Sequence, residues 1–276
     1  MKKILVPTDF STHADYALRT AAQIARKNNG EIILLHMLEL PTQVVDKISG
    51  GGGDIPEVMF FLKKTRERFD EVKASSFLEG IPITEAVQFE RAFEGIIKAS
   101  QSHNIDLVVM GSHGASGVQG FFVGSNTEKV VRTSDVPVLV VKKELDIQDI
   151  NKFVFASDFS PEIKAPFKKA IAFSKAFCAN MQLLMINTPG RFLSTDEAEK
   201  KITGFLTEFP ELVDYSMHVY NDYSVEKGVL NFANRVNTDL IGVGTHGRTG
   251  INHYLNGSIG EDIVNSAVRP VVTFKI

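Results

Sequence analysis

The chain has 276 residues, of which 43% are hydrophobic and 23% charged, and its formal net charge is −3. That balance excludes disorder as the dominant state, and nothing in it draws the whole chain to nucleic acid or to an acidic membrane surface. The single cysteine, Cys178, excludes a disulfide scaffold and suits a reducing compartment.

Met1-Lys2-Lys3 leads straight into Ile4-Leu5-Val6, an apolar run that stops at Pro7. A signal peptide needs an apolar core of about 7–15 residues and a membrane span ~20, so neither is expected here or elsewhere. The expectation is a soluble, cytoplasmic protein. Ile4–Val6 instead suits a strand covered on both faces. From Ser11 to Lys27, residues Ala14, Leu18, Ala21, Ala22 and Ala25 fall at helical spacing, and Asn28-Asn29-Gly30 ends the helix. Ile32–Leu35 is the next strand.

A helix from Glu57 to Leu78 follows, with Phe60, Phe61, Phe69 and Val72 as its apolar positions. Strand Ile83–Gln88, helix Ala92–His103, strand Leu107–Met110, helix Ser125–Thr133 and strand Val138–Val141 complete the half. Past the polar linker Lys142–Asp149, strands are expected at Phe153–Phe155, Gln182–Ile186, Tyr215–Val219, Leu240–Val243 and Val271–Phe274. Cys178 falls on the first helix of this half, as a buried residue. Ser194 and Glu197 have the spacing of a capping box.

The order repeats because the sequence repeats. Val6-Pro7-Thr8-Asp9-Phe10-Ser11 recurs as Phe155-Ala156-Ser157-Asp158-Phe159-Ser160, at an offset of 149. Asp106 to Pro137 matches Asp239 to Pro270 without a gap, at an offset of 133. The first half is thus 16 residues longer in its middle, which places the surplus at Pro41–Pro56 with its Gly50–Gly53 run. That run is a loop, either a lid over a site or a plain insertion. Two homologous domains are expected, 1–144 and 150–276. Each is an α/β unit, a five-stranded, mostly parallel sheet with helices on both faces. Ligands of such sheets sit beyond the carboxyl ends of the strands.

After the fourth strand of each half comes a glycine pattern. Gly111-x-x-Gly114 is followed nine residues later by Gly124-Ser125 at a helix start; Gly244-x-x-Gly247 is followed by Gly257-Ser258 at the same spacing. Glycines admit a ligand close to the backbone, and a helix N-terminus offers amide donors and a dipole that favours anions. The combination suits a phosphate cradle; Ser at a helix start also suits a plain N-cap. No G-x-x-x-x-G-K-[ST] string occurs. Gly242-x-Gly244-x-x-Gly247 has the spacing of a dinucleotide fingerprint, but it follows the fourth strand and Val109 replaces its first glycine in the other half. Dinucleotide binding is rejected.

The G-x2-G-x9-G-[ST] pattern, together with Pro-Thr-Asp-Phe-Ser after the first strand, resembles the universal stress protein family, and the resemblance covers both halves. It implies an adenine-nucleotide alpha hydrolase-like, Rossmann-like fold and, in the ATP-binding branch of the family, a nucleotide site in each half. In the first half that site would take Asp9, Met37, Gly111, Gly114, Gly124 and Ser125, with Pro7, Thr8, Met110, Asn126 and Thr127 lining it. In the second it would take Asp158, Ile186, Gly244, Gly247, Gly257 and Ser258. Ala156-Ser157 replaces Pro7-Thr8, and Gly260 replaces Thr127. Loss of the Thr127 hydroxyl would remove a phosphate donor, a contribution of about 0.5–1.5 kcal/mol. The resemblance also implies pairing through the last strand. Val138–Val141 and Val271–Phe274 are apolar edge candidates that need covering. The two halves can pair through them as an intramolecular pseudo-dimer, and a homodimer is possible beyond that.

Other residues carry less. Asp9 and Asp158 suit hydrogen-bonding carboxylates at strand ends, or else a base or metal ligand. His113 and His246 lie inside the glycine loops, where they contact phosphate or brace the loop. His13, His36, His103, His218 and His253 have no metal-ligand spacing. The function expected is an ATP-binding sensor or switch in a stress response, with Mg2+ carried by the phosphates and an unknown protein partner. The alternatives are a slow ATPase or adenylyl-transfer enzyme, and an interaction module with vestigial sites. No catalytic residue is nominated.

Overall fold

In the computed structural model the chain is described over residues 1–38, 55–89, 91–114, 123–245 and 259–276. The first half runs β1 (Lys3–Thr8), α1 (Thr12–Asn28), β2 (Glu31–Met37), α2 (Ile55–Lys73), β3 (Ile83–Gln88), α3 (Ala92–Ser102), β4 (Leu107–Gly111), α4 (Ser125–Thr133) and β5 (Val138–Val141). The second runs β6 (Lys152–Ala156), α5 (Lys164–Phe177), β7 (Asn180–Asn187), α6 (Thr195–Leu206), β8 (Tyr215–Asn221), α7 (Val225–Arg235), β9 (Leu240–Thr245), α8 (Ile259–Ser266) and β10 (Val271–Lys275).

Among the described residues the strands form one ten-stranded sheet in the order β3-β2-β1-β4-β5-β10-β9-β6-β7-β8. Pairing is parallel inside each half. It is antiparallel where β5 meets β10, with Val140 opposite Val271 and Val138 opposite Thr273. The apolar closing strands therefore cover each other. Each half changes direction at its first strand: β1 lies between β2 and β4, and β6 between β7 and β9. A crevice opens at such a switch point, beyond the carboxyl ends of the two central strands.

Strand alternation divides the core into two layers. Ile4 and Val6 face the layer built with α1, α2, α5 and α6, while Leu5 faces the one built with α3, α4, α7 and α8. The first layer is aromatic in the second half, where Phe155 meets Phe167 at 5.3 Å and Phe274 at 6.0 Å between ring centres. The linker is tied down by α1: the Gln23 side chain donates to the Leu145 carbonyl and accepts from the Ile147 amide, both at 2.9 Å.

Three local expectations need correction. The helix expected over Glu57–Leu78 ends at Lys73, and Ser76–Leu78 is a separate 3₁₀ turn. Its Phe69 is buried at 1%, but Phe60 is 56% exposed. Nineteen helical residues span about 28 Å and a six-residue strand about 20 Å, so a helix of this length outruns the strands it covers. Cys178 is not a buried helical residue. It is exposed and caps α5 in the left-handed region, at φ 55°, the place Asn29 takes at φ 48° after α1. The capping box at Ser194 and Glu197 forms as expected.

Candidate functional site

Each half folds its first-strand motif in the same way. In the first, the Phe10 amide donates to Thr8 Oγ1 at 3.0 Å and the Ser11 amide to Asp9 Oδ1 at 3.1 Å; Ser11 then caps α1. In the second, the Phe159 amide donates to Ser157 Oγ at 2.9 Å and the Ser160 amide to Asp158 Oδ1 at 3.1 Å. Ser157 thus does what Thr8 does, and the exchange of Pro7-Thr8 for Ala156-Ser157 leaves the turn intact. The turn places Phe10 at φ 61° and Phe159 at φ 52°. A bulky side chain in the left-handed region is strained by about 1–3 kcal/mol and persists where its surroundings hold it. Phe10 is held by His36 at 4.8 Å and Phe69 at 5.6 Å between ring centres. Pro7 stands beyond the last β1–β4 pair, Leu5 with Val108.

The three glycines of the first half have different reasons to be glycine. A Cβ on Gly111 would lie 2.6 Å from the His13 carbonyl oxygen, so the first turn of α1 excludes one. Gly244 is placed similarly, since its Cβ would lie 2.5 Å from Ile163 Cδ1. The first glycine of the motif therefore serves packing. A Cβ on Gly114 would lie 2.7 Å from Asp9 Oδ2, so this glycine brings the loop after β4 onto the Asp9 carboxylate. Gly124 meets nothing closer than 3.5 Å, at the Ser112 carbonyl oxygen. It is the N-cap of α4 and offers the first turn no side-chain acceptor, while its own amide donates to Ser112 at 2.7 Å. The amides at the start of α4, on exposed Ser125 and Asn126, are left uncapped from within, and the helix dipole favours an anion there.

Thr127 corrects an expectation. Its hydroxyl donates to the Gly111 carbonyl at 3.0 Å and the residue is 5% exposed, so it locks α4 to the end of β4 instead of facing the crevice. Gly260 at the matching place has its own reason: a Cβ there would collide with Thr245 Cγ2. Thr245 stands where the first half has Ser112. The methyl-bearing side chain has moved from the helix to the strand, and the loss of the Thr127 hydroxyl in the second half is a repacking. Gly247, Gly257, Ser258 and His246 lie outside the described residues, as does Gly50–Gly53.

Met37 ends β2 and Ile186 is the next-to-last residue of β7, and their side chains turn toward the helices. A Cβ on Gly95 would collide with Met37, and one on Gly228 would lie 2.7 Å from Ile186. Met37 also stands one residue past the last β1–β2 pair, Thr8 with His36. Gly95 and Gly228 share the offset of 133, which is the signal by which the sequence marks them. Met110 is buried in the layer under α3 and α4. His113 accepts or donates at Nδ1 with Ser112 Oγ, 2.9 Å away, while its Nε2 is buried without a partner among the described residues. Its ring lies 5.3 Å from that of His13, a residue the sequence did not mark. Burial, then His113, lowers the His13 pKa, and Asp9 opposes them.

A cavity of about 610 Å³ lies at the β3 edge, lined by Met59, Phe60 and Phe69 among others, and one of about 440 Å³ lies at the β8 edge. Neither is lined by the crevice residues. Among the described residues, no three His, Cys, Asp or Glu side chains gather as a metal site, and no helix is long and apolar enough to cross a membrane.

Comparison with known proteins places these features. The model of the universal stress protein family matches residues 1–142 and again 150–275. Universal stress protein Slr1230 of Synechocystis is 25% identical over the full length of both chains. Universal stress protein MJ0577 of Methanocaldococcus jannaschii is 28% identical over 52% of this chain and 96% of its own. A crystal structure of a universal stress protein from Archaeoglobus fulgidus superposes with a TM-score of 0.74 at 22% identity, covering 99% of this chain and 98% of that one. The doubled motif, the doubled fold and the doubled match agree: the chain belongs to the universal stress protein family, as a tandem of two repeats.

Proposed function

We propose that the chain binds an adenine nucleotide, ATP, in the crevice of the first half and acts as a sensor or switch in a stress response. The observation that carries this reading is the Gly124 cap. A glycine that packing does not demand leaves the amides of α4 open, opposite a Gly114–Asp9 contact that holds the loop in place. Those amides and the Ser125 hydroxyl would hold phosphate. The backbone at Met37 and the Asp9 carboxylate would face the adenosine. The nucleotide supplies charge, which the chain reads at the start of α4; Mg2+ would be held through the phosphates.

The unit of binding is the domain, 1–144 or 150–276, and the halves act as an intramolecular pseudo-dimer joined at β5 and β10. The second site is the weaker, and a cytoplasmic setting and an unidentified protein partner belong to the same reading. Nucleotide released on denaturing freshly purified protein, identified by chromatography and counted per chain, tests it. ATP at one or two per chain is expected, together with a raised Tm in added ATP, since a ligand of the folded state must stabilise it. Protein that carries no nucleotide and is not stabilised by ATP overturns the reading.

A further inference from the structure

The loop after β4 brings His113, inside the glycine motif, against a second imidazole, His13. His13 lies in the first turn of α1, and its backbone carbonyl is the group that requires glycine at Gly111. His113 lies between Ser112 and Gly114, and its Cα is 3.7 Å from where a Cβ on the α4 cap, Gly124, would stand. The two rings are 5.3 Å apart between centres, tilted by 51°. His113 Nε2 is buried and has no hydrogen-bond partner among the described residues. A buried donor or acceptor without a partner costs free energy that a ligand can return.

The second half differs at this point. The offset of 149 that carries Asp9 to Asp158 and the left-handed cap Asn29 to Cys178 carries His13 to Glu162. Glu162 is exposed in the 3₁₀ turn Pro161–Ile163 that precedes α5. At this position the first half thus has an imidazole where the second has a carboxylate.

We propose that His13 and His113 form a phosphate-reading pair peculiar to the first half, which closes on the polyphosphate of a bound nucleotide with one ring as imidazolium, so that polyphosphate binding there takes up a proton. The proposal rests on the nucleotide reading above and names the part of the ligand that distinguishes the two sites. Polyphosphate is the fitting chemistry because the rings border the amide-lined start of α4 and not the strand ends near Met37. Two neutral rings lie together without charge repulsion, whereas two imidazoliums repel; an anion between them reverses the preference for one proton. Among the described residues, the groups that face His13 are His113 from the β4 loop, Asp9 from the β1–α1 turn, and Tyr16 one turn further along α1, edge-on at 6.0 Å. Asp9 alone of these is anionic, and the Ser11 amide occupies its Oδ1. Glu162 gives the second half the opposite charge, so its site discriminates against polyphosphate.

Isothermal titration of the full chain with Mg-ATP and with adenosine, near pH 8 and near pH 6 in buffers of different ionisation enthalpy, tests the pair. ATP affinity in the first site is expected to rise by up to about tenfold per pH unit on acidification, with a buffer-dependent heat that reports proton uptake. Adenosine affinity is expected to stay level. His13→Gln is the reference, because it leaves the ionisation of ATP itself unchanged; it is expected to remove the excess proton uptake, and His113→Gln to do the same. Glu162→His is expected to add a second proton-linked event. ATP that binds equally to wild type and His13→Gln at both pH values, with equal proton uptake, overturns the pair and leaves the nucleotide site standing. No heat and no thermal stabilisation from ATP at either pH overturns both.

Discussion

Asn265 of α8 accepts a hydrogen bond from the Val123 amide at 3.1 Å, so the second half reaches the residue that precedes the Gly124 cap of the first. The Asn265 carbonyl accepts from Lys142 Nζ at 2.8 Å, which ties the same residue to the start of the linker. Burial holds the Lys142 pKa below its ordinary value. The entry to α4 is therefore positioned from across the seam.

Asn265→Ala is expected to remove the Val123 bond at a cost of about 0.5–1.5 kcal/mol, which lowers Tm by about 1–6 °C. ATP affinity in the first half should fall with it, because the amides of α4 lose their fixed aim. Calorimetry of the variant with and without ATP checks both. An unchanged Tm with unchanged affinity would mean that the contact carries neither.

Gly114→Ala places a methyl group against Asp9 Oδ2. The backbone of Gly114 is not in the left-handed region, so alanine is tolerated there and the disturbance stays with the carboxylate and the loop. Far-UV circular dichroism should match wild type while stabilisation by ATP is lost. Full stabilisation in the variant would separate the Gly114–Asp9 contact from binding.

Gly260→Ala is expected to destabilise the chain by about 1–3 kcal/mol, since Thr245 Cγ2 occupies the space and a β-branched side chain cannot swing away. Thr245→Ser removes that methyl group and should recover most of the loss. Urea unfolding of the two single variants and the double gives the coupling directly. Additive losses would count against the proposed exchange of bulk between helix and strand.

His218 packs against Phe232 at 4.9 Å between ring centres and pairs with Ser216 Oγ at 2.9 Å; burial lowers its pKa from 6.5. Below that value the unfolded chain binds the proton that the folded chain resists, so stability rises with pH and is lost as pH falls through about 6.5. Unfolding midpoints measured from about pH 8 to about pH 5 should decline on the acid side. His218→Leu should flatten part of that decline, and an identical slope in the variant would assign it elsewhere.

The sequence speaks most clearly where the physics is local or periodic. Ile4–Val6 and Val138–Val141 read as covered strands because every residue in them is apolar, and the helix Ser125–Thr133 is bounded by its own glycine. The repeat adds long-range content, because two copies at one spacing mark the same place in the sheet. The role of Thr127 is not legible in the sequence, because its partner, the Gly111 carbonyl, lies 16 residues away. The exposure of Phe60 is not legible either, because helical spacing shows a face but not how far the sheet beneath it extends. His13 gains meaning only from His113, 100 residues on, and no spacing rule connects the two.

The antiparallel ladder of β5 and β10 joins strands of one polypeptide. Two separate one-repeat chains would lose such a seam on dilution, but a short tether keeps it at an effective concentration on the order of millimolar whatever the abundance of the protein. Unlike partners are thereby supplied in equal number, and like-with-like pairing cannot compete inside the chain. One copy is thus free to keep His13 while the other carries Glu162: divergence between the repeats does not risk the assembly that holds them.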